Sequence, residues 1–375
     1  MNNLIDIVDD FRFVGGLHTT ARLLPICSGI LRLIGTKQIP IELLKRVTVE
    51  WSTKLEQYDS NYYLRKGKIT DTKNNVTRAT SAFEHYFQLL QAYRLIHRTG
   101  NIVSTTRTGS LLNLFSEETS QTLHLNTKEK VFYILYILNL DADALILSLS
   151  ILANYPDGAS QNKVLLHFKE FLLERITAKR DYANTQATEK IRDWYLKITR
   201  DWEKPEVYAE HLLVPRLEWM SDLGFVSISK QGSHTNYKLN TSGYEFYYAL
   251  PVIEKYKLRE INESWYQSEI VTAAAKLLSL HSIIRFQDLP EMEKNSLLGE
   301  KIEMAFHLID TGGALRVSLF PAFLYIATNL LAEKNIIIEF SILVDFLKTP
   351  LRYNSKKYGV KESGRVTESY LTIIF

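Results

Sequence analysis

Residues 217–250 read LEWMSDLGFVSISKQGSHTNYKLNTSGYEFYYAL, and the reading of this stretch decides the fold. The helix that holds Leu217 and Trp219 is expected to end at Asp222-Leu223-Gly224. Phe225 to Ser229 alternate like a half-buried strand, Gln231-Gly232-Ser233-His234 form a turn, and Thr235 to Leu239 alternate again. Thr241-Ser242-Gly243 then opens a helix with Tyr244, Phe246 and Tyr247. A lone two-stranded hairpin is marginal and needs a helix to pack on; Phe225, Val226, Tyr237 and Leu239 supply that side.

A paler copy lies roughly 130 residues earlier, and internal repeats of this kind decide architecture. Ser81-Ala82-Phe83-Glu84 has the spacing of a capping box, so a helix is expected over 81–96. His97 to Asn101 make a turn, IVSTT is strand-like, and Arg107-Thr108-Gly109-Ser110 precedes the apolar LLNLF. Upstream, Pro40 is placed in the first turn of a helix over 41–58. Between the copies the pattern is helical: one helix to Leu140, a second from Asp141 to Asn154, a third from Lys163 to about Lys179. The run RDYANTQATEKIRDWYLKITRDWEK is polar enough for a mobile connector or an exposed helix. Pro205 restarts the chain, and Pro215 suits a helix's first turn. IIIEFSILVDFL fits a buried strand followed by a helix, or helix throughout. The end, 351–375, reads as a basic loop closing on an alternating strand, which suits a third, degenerate copy.

The fold class expected is mainly α with small β-hairpins, in tandem domains joined by helical connectors. The boundaries are an N-terminal helical extension over 1–38, a first hairpin-bearing domain over 39–125, a connector with the second over 126–250, and a mainly helical C-terminal domain over 251–375.

Composition sets limits. The chain has 375 residues, 46% hydrophobic and 23% charged, which is ordinary for a globular protein with sizeable cores. Net charge is only +3, so any nucleic-acid surface must be a local concentration of charge. One cysteine, Cys27, excludes an intrachain disulfide and a cysteine zinc site. The start, MNNLIDIVDDFRF, lacks the order of a signal peptide, and the apolar runs VFYILYILNL and DALILSLSIL are broken by Asp141 and Asp143. A soluble, cytoplasmic protein without membrane contact is therefore expected, and the frequent Asn, Lys, Ile and Tyr suggest a bacterial source.

Helix, short strand, basic turn, strand resembles the winged helix-turn-helix family, most clearly over Leu217 to Phe246 and also over Ser81 to Leu112. The resemblance implies three helices packed on a small core, a third helix that enters the DNA major groove, and a hairpin wing that touches backbone or minor groove. It also implies an alternative, because such modules serve widely as protein-binding scaffolds, for instance for an ATPase. A helix bearing Glu218 and Asp222 is poorly dressed for a groove.

The cations that can donate to phosphates fall in three groups. Arg65, Lys66, Lys68, Lys73 and Arg78 surround a single Asp71, and Arg94, Arg98 and Arg107 follow, with His97 beside them. Lys230, His234, Asn236 and Lys238 occupy the tip of the second hairpin. Arg352, Lys356, Lys357, Lys361 and Arg365 form the densest cluster, and Tyr353 and Tyr358 lie among them, a mixture suited to a nucleic-acid strand. A solvated basic face is the alternative for each group.

Enzyme signatures are absent: no GxxxxGK[ST], no GxGxxG after a strand, no HExxH and no GxSxG. Asp141 and Asp143 make a DxD capable of holding Mg²⁺, but their position favours capping the second helix. Asp310-Thr311-Gly312-Gly313 resembles a protease DTG yet follows a helical pattern and has no second copy. No catalytic, cofactor or metal residue is nominated. The expectation is a non-catalytic DNA-binding or accessory subunit of a bacterial multi-protein system of the restriction or antiviral-defence kind. A protein-only scaffold, a cryptic metal-dependent nuclease and a replication initiator remain as alternatives.

Overall fold

A computed structural model describes residues 10–58, 69–73, 76–79, 81–116, 124–231, 234–254, 257–278, 282–309, 315–362 and 369–374. Among these residues, thirteen α-helices accompany sheets of only two to four strands, so the protein is mainly helical. The chain forms two units: residues 1–126 with 137–260, and residues 127–136 with 261–375.

In the first unit, α1 (Leu24–Ile34) is followed by β1 (Ile39–Pro40) and α2 (Ile41–Tyr58). Pro40 is thus the last residue of a short strand and not the first of the helix. β2 (Thr70–Lys73) and β3 (Val76–Ala79) form a hairpin, then come α3 (Ala82–Ala92), β4 (Ile96–Thr99), β5 (Ile102–Thr105) and α4 (Arg107–Phe115). The capping box expected at Ser81 does not form: Ser81 has helical backbone angles and caps nothing, and Glu84 pairs with Lys45 at 2.8 Å. α3 also stops four residues early, because Arg94 adopts a left-handed conformation (φ 52°) and Leu95 N–H donates to Leu90 C=O at 2.9 Å.

α5 (Thr127–Ala153) spans 27 residues as two helical segments that meet at a kink, where Asp141 leaves helical geometry (φ −136°, ψ 22°), the point at which the sequence placed the break between two helices. It is long and apolar enough to cross a membrane by length and composition, with 89% of its apolar window buried in the protein. β6 (Ala159–Ser160), α6 (Gln161–Arg180) and α7 (Thr185–Leu196) follow. The polar run over 180–204 is therefore largely helical: α7 buries Ala187 and Ile191 and continues as a π-helical turn that buries Ile198. α8 (Pro205–Leu223) begins at Pro205, as a proline in the first turn allows, but carries Pro215 in its interior. β7 (Val226–Gln231), β8 (His234–Leu239), α9 (Thr241–Ala249), β9 (Val252–Ile253) and β10 (Leu258–Arg259) complete the unit.

The second unit also holds α10 (Glu263–Leu277), β11 (Ile284–Arg285), α11 (Glu291–Ile309), β12 (Arg316–Ser318), α12 (Leu319–Lys334), β13 (Ile336–Ile337) and α13 (Phe340–Lys348). IIIEFSILVDFL is thus strand then helix. Residues 319–331 of α12 are buried without interruption, which makes it the central helix of this core. β14 (Leu351–Tyr353), β15 (Lys356–Lys361) and β16 (Tyr370–Ile374) end the chain.

One topology recurs. A short strand runs directly into a helix and pairs antiparallel with the second strand of a later hairpin. This gives the orders β1-β5-β4, β6-β8-β7 and, with an added edge strand, β12-β16-β15-β14. The first two copies match in detail. Thr106 Oγ1 accepts from Gly109 N–H and Asn240 Oδ1 from Gly243 N–H, capping α4 and α9. Thr106 N–H donates to Leu95 C=O and Asn240 N–H to Phe225 C=O, at 2.9 and 3.1 Å.

Candidate nucleic-acid interface

The helices that precede the hairpins present little positive charge. The exposed positions of α3 include Ser81, just before it, Glu84 and Gln88. The middle of α8, residues 212–217, is buried throughout. Glu218 lies 3.7 Å from Arg22 and accepts from Tyr237 Oη, and Asp222 accepts from Leu24 N–H at 3.0 Å. These carboxylates tie α8 to the N-terminal segment and to β8. The nominated cations among the described residues lie on strands and turns and, for Arg107, at the start of α4.

Around the first hairpin, Arg94 just before β4, Arg98 on β4 and Arg107 at the start of α4 are exposed. Arg98 Nε donates to Gly100 C=O at 2.9 Å, and Arg98 registers opposite the buried Val103. Lys73 and Arg78 lie on the β2–β3 hairpin, with Asp71 paired to Arg78 in the backbone register. Their side chains, and the whole of Arg65, Lys66, Lys68 and Arg365, lie outside the described residues.

The second hairpin separates residues that the sequence grouped. Strand parity puts His234, Asn236 and Lys238 on one face with Ser227 and Ser229, while Lys230, opposite Thr235, points to the other. Lys230, His234 and Lys238 are exposed, whereas Asn236 is half-buried and registers with Ser160.

The third group is rearranged most. Lys356 faces α11, where Glu303 neutralises it at 3.4 Å. Both tyrosines read as interleaved with charge turn inward: Tyr353 packs against Gly299, and Tyr358 is buried with its ring 5.6 Å from Phe306. Burial pushes the Tyr358 hydroxyl up to about 12. The opposite, outward face carries Arg352 directly across from Lys357, and Lys361 across from Tyr370. Arg316 joins them from β12 across β16, its guanidinium 5.5 Å from the Tyr370 ring centre. Sequence reading missed Arg316 and Tyr370. The alternation Arg316-Val317-Ser318 carries the one local signal, and the distance along the chain hides the rest.

A second cluster lies in the first unit. The rings of His18 and His85 stack at 3.5 Å between centres and 4° between planes, and His211 lies 4.4 Å from His18. Burial, the neighbouring imidazoles and Arg22 pull His18 down to about 4, and burial lowers His211 as well. Parallel rings cannot direct their lone pairs at one ion. Among the described residues no group of three or more His, Cys, Asp or Glu is arranged to hold a metal. Cys27 is buried and free, its thiol pushed up by burial and by Asp222.

The DxD has a structural role. Asp141 accepts from Arg216, Tyr93 Oη and Val14 N–H, and Asp143 accepts from Arg12 N–H, Arg175 and Lys179. Glu260 completes the set by accepting from Lys179 Nζ at 2.6 Å. The three carboxylates therefore face three buried cations, and neither aspartate acts as the helix cap that its position suggested.

No protein-family model, no curated protein and no solved structure matches this chain.

Proposed function

We propose that the chain is a non-catalytic DNA-binding subunit built from winged-helix-like repeats. On this reading it contacts duplex phosphates through its hairpins and not through an inserted helix. The observation that carries the reading is the recurrent strand order, in which a short strand leading into a helix pairs with the far strand of a hairpin, together with exposed cations on those hairpins. The resemblance of residues 217–246 to winged helices supports the same assignment and its setting, a bacterial defence or restriction-like assembly in the cytoplasm. The test is fluorescence anisotropy of the full chain with a labelled duplex across a salt series. Each phosphate contact adds about −0.9 to the slope of log affinity against log salt. Arg94→Ala with Arg98→Ala is expected to flatten that slope by about 2. Absent duplex binding at low salt would defeat the proposal.

One observation favours a protein-binding scaffold as the second reading. Tyr244 and Tyr248 stack on α9, Tyr248 is exposed, and Arg259 lies 5.1 Å from the rings of both Tyr247 and Tyr248. Tyrosine and arginine dominate the energetics of protein interfaces. A pull-down that loses its partner on Tyr248→Ala, with no DNA affinity in the same preparation, would select this reading.

A further inference from the structure

We infer that the outward face of the sheet β12-β16-β15-β14 binds a single strand of nucleic acid, with Arg316, Arg352, Lys357 and Lys361 on its phosphates and a base stacked at Tyr370. The ligand class rests on the nucleic-acid reading above; the site and the strandedness do not.

The argument starts from pairing. Side chains directly opposite on neighbouring strands share a face, and like charges there repel. Arg352 opposite Lys357 is such a pair. On the inward face of the same hairpin the fold neutralises its cation, Lys356, with Glu303. Outward, Arg316, Arg352, Lys357 and Lys361 make no ion pair among the described residues. Neighbouring acids do not remedy this. Glu291 and Asp345 line a pocket with Arg352 but pair with Lys294 at 3.7 Å and Lys348 at 2.6 Å, and Glu362 follows Lys361 beyond the end of β15. The face therefore holds a concentration of positive charge that an anion would relieve.

Strandedness follows from what lies among the cations. Tyr370 is 41% exposed and Ile374 39% exposed, on the same face as the cations. A duplex backbone offers nothing apolar to these groups, whereas an unpaired base offers a π-face. Arg316 lies over one side of the Tyr370 ring, its guanidinium 5.5 Å from the ring centre, which places a cation directly beside the stacking residue.

The test uses the full chain and a fluorescein-labelled oligothymidylate, with a duplex of equal length and poly-glutamate as competitors. Four phosphate contacts predict a salt slope of about −3 for a single strand, and Arg316→Ala with Lys361→Ala should flatten it by about 1.4. Tyr370→Ala should weaken binding about five-fold or more at unchanged slope, and Tyr370→Phe should keep the affinity, since stacking needs the ring and not the hydroxyl. Thermal melts of each variant separate lost binding from lost fold. Oligothymidylate affinity indifferent to these substitutions, or displaced as well by poly-glutamate as by unlabelled oligomer, overturns the assignment. Single-strand binding that depends on Tyr370 alongside absent duplex binding would sink only the duplex proposal. Duplex binding that depends on Arg94 and Arg98 with single strands ignored would sink only this one.

Discussion

Asp141 and Arg216 face each other in a fully buried bidentate pair, Nε donating to Oδ2 at 2.7 Å and Nη2 to Oδ1 at 2.8 Å. The pair sits at the kink of α5 and ties that helix to α8. Arg216 Nη2 also donates to Val14 C=O at 2.6 Å, which brings the N-terminal segment to the same point. Two charges removed from water hold only while both are present. Arg216→Met or Asp141→Leu alone should therefore cost about 3–5 kcal/mol in urea unfolding, and the double replacement should cost less than either. A single variant within about 1 kcal/mol of the parent would show that water reaches the pair.

Asp143, two residues on, predicts an acid limb. Burial alone pushes its carboxyl up, but Lys179 and Arg175, with hydrogen bonds from Lys179 and from Arg12 N–H, outweigh burial and hold it at about 2. An unfolded aspartate titrates near ~3.9. Between about 4 and 2 the unfolded chain binds the additional proton, so stability is complete above this window and falls as pH drops through it. Urea midpoints measured across that range should decline, and Asp143→Asn should flatten the decline while lowering the whole curve.

The histidine stack predicts a second limb at higher pH. His18 is held at about 4 against an unfolded value near ~6.5, so the unfolded state binds more protons in between and stability falls as pH drops from about 6.5 to 4. Glu210 and Glu218 lie by Arg22 and offset part of its field, and Arg22 comes after burial, His85 and His211 among the causes. Proton NMR should find His18 titrating near 4. In His85→Phe, which keeps a ring in the stack and removes its charge, the His18 value should rise yet stay below 6.5, because burial remains the largest cause. An unchanged value would remove His85 from the account.

Much of the local structure was legible in the residues, and the misreadings share a cause. Alternation and turn residues located the whole second hairpin, since strand period and turn chemistry are local properties, but only the second strand of the first: Ile96–Thr99, read as a helix end and a turn, is strand β4. Asp141 and Asp143 were misread as caps because their partners lie far away in sequence, Arg216 75 positions and Lys179 36 positions on. The inward turn of Tyr353 and Tyr358 depends on where the β14–β15 hairpin reverses. Asn354 and Ser355 take positive φ there (45° and 64°), and a shift of one residue would have exposed both rings. Glu84 fits a capping box by spacing, yet Lys45 on α2 offers it a charged partner.

The paired hairpins allow the repeat itself to be tested by substitution. α3 and α8 end in the same way, with an N–H just beyond the helix donating back across five residues to its last turn: Leu95 to Leu90 C=O, and Phe225 to Met220 C=O. The second copy has Gly224 at the left-handed position (φ 95°), and the first has Arg94 (φ 52°). A side chain in that conformation costs about 1–2 kcal/mol, part of which glycine would return as chain entropy in the unfolded state. Arg94→Gly should therefore stabilise the protein by up to about 1 kcal/mol, and Gly224→Ala should destabilise it. The same symmetry holds one turn beyond each hairpin. A Cβ on Gly109 would sit 2.0 Å from Leu95 O, and on Gly243 2.1 Å from Phe225 O. Both carbonyls are engaged by the cap residue's N–H and cannot retreat without breaking that bond. Gly109→Ala and Gly243→Ala should each cost about 1–3 kcal/mol or more, with matched losses in melting temperature. If Arg94→Gly gains stability while weakening duplex affinity, the strained arginine is retained for its charge at the hairpin. Gained stability at unchanged affinity would leave Arg94 with no part in binding.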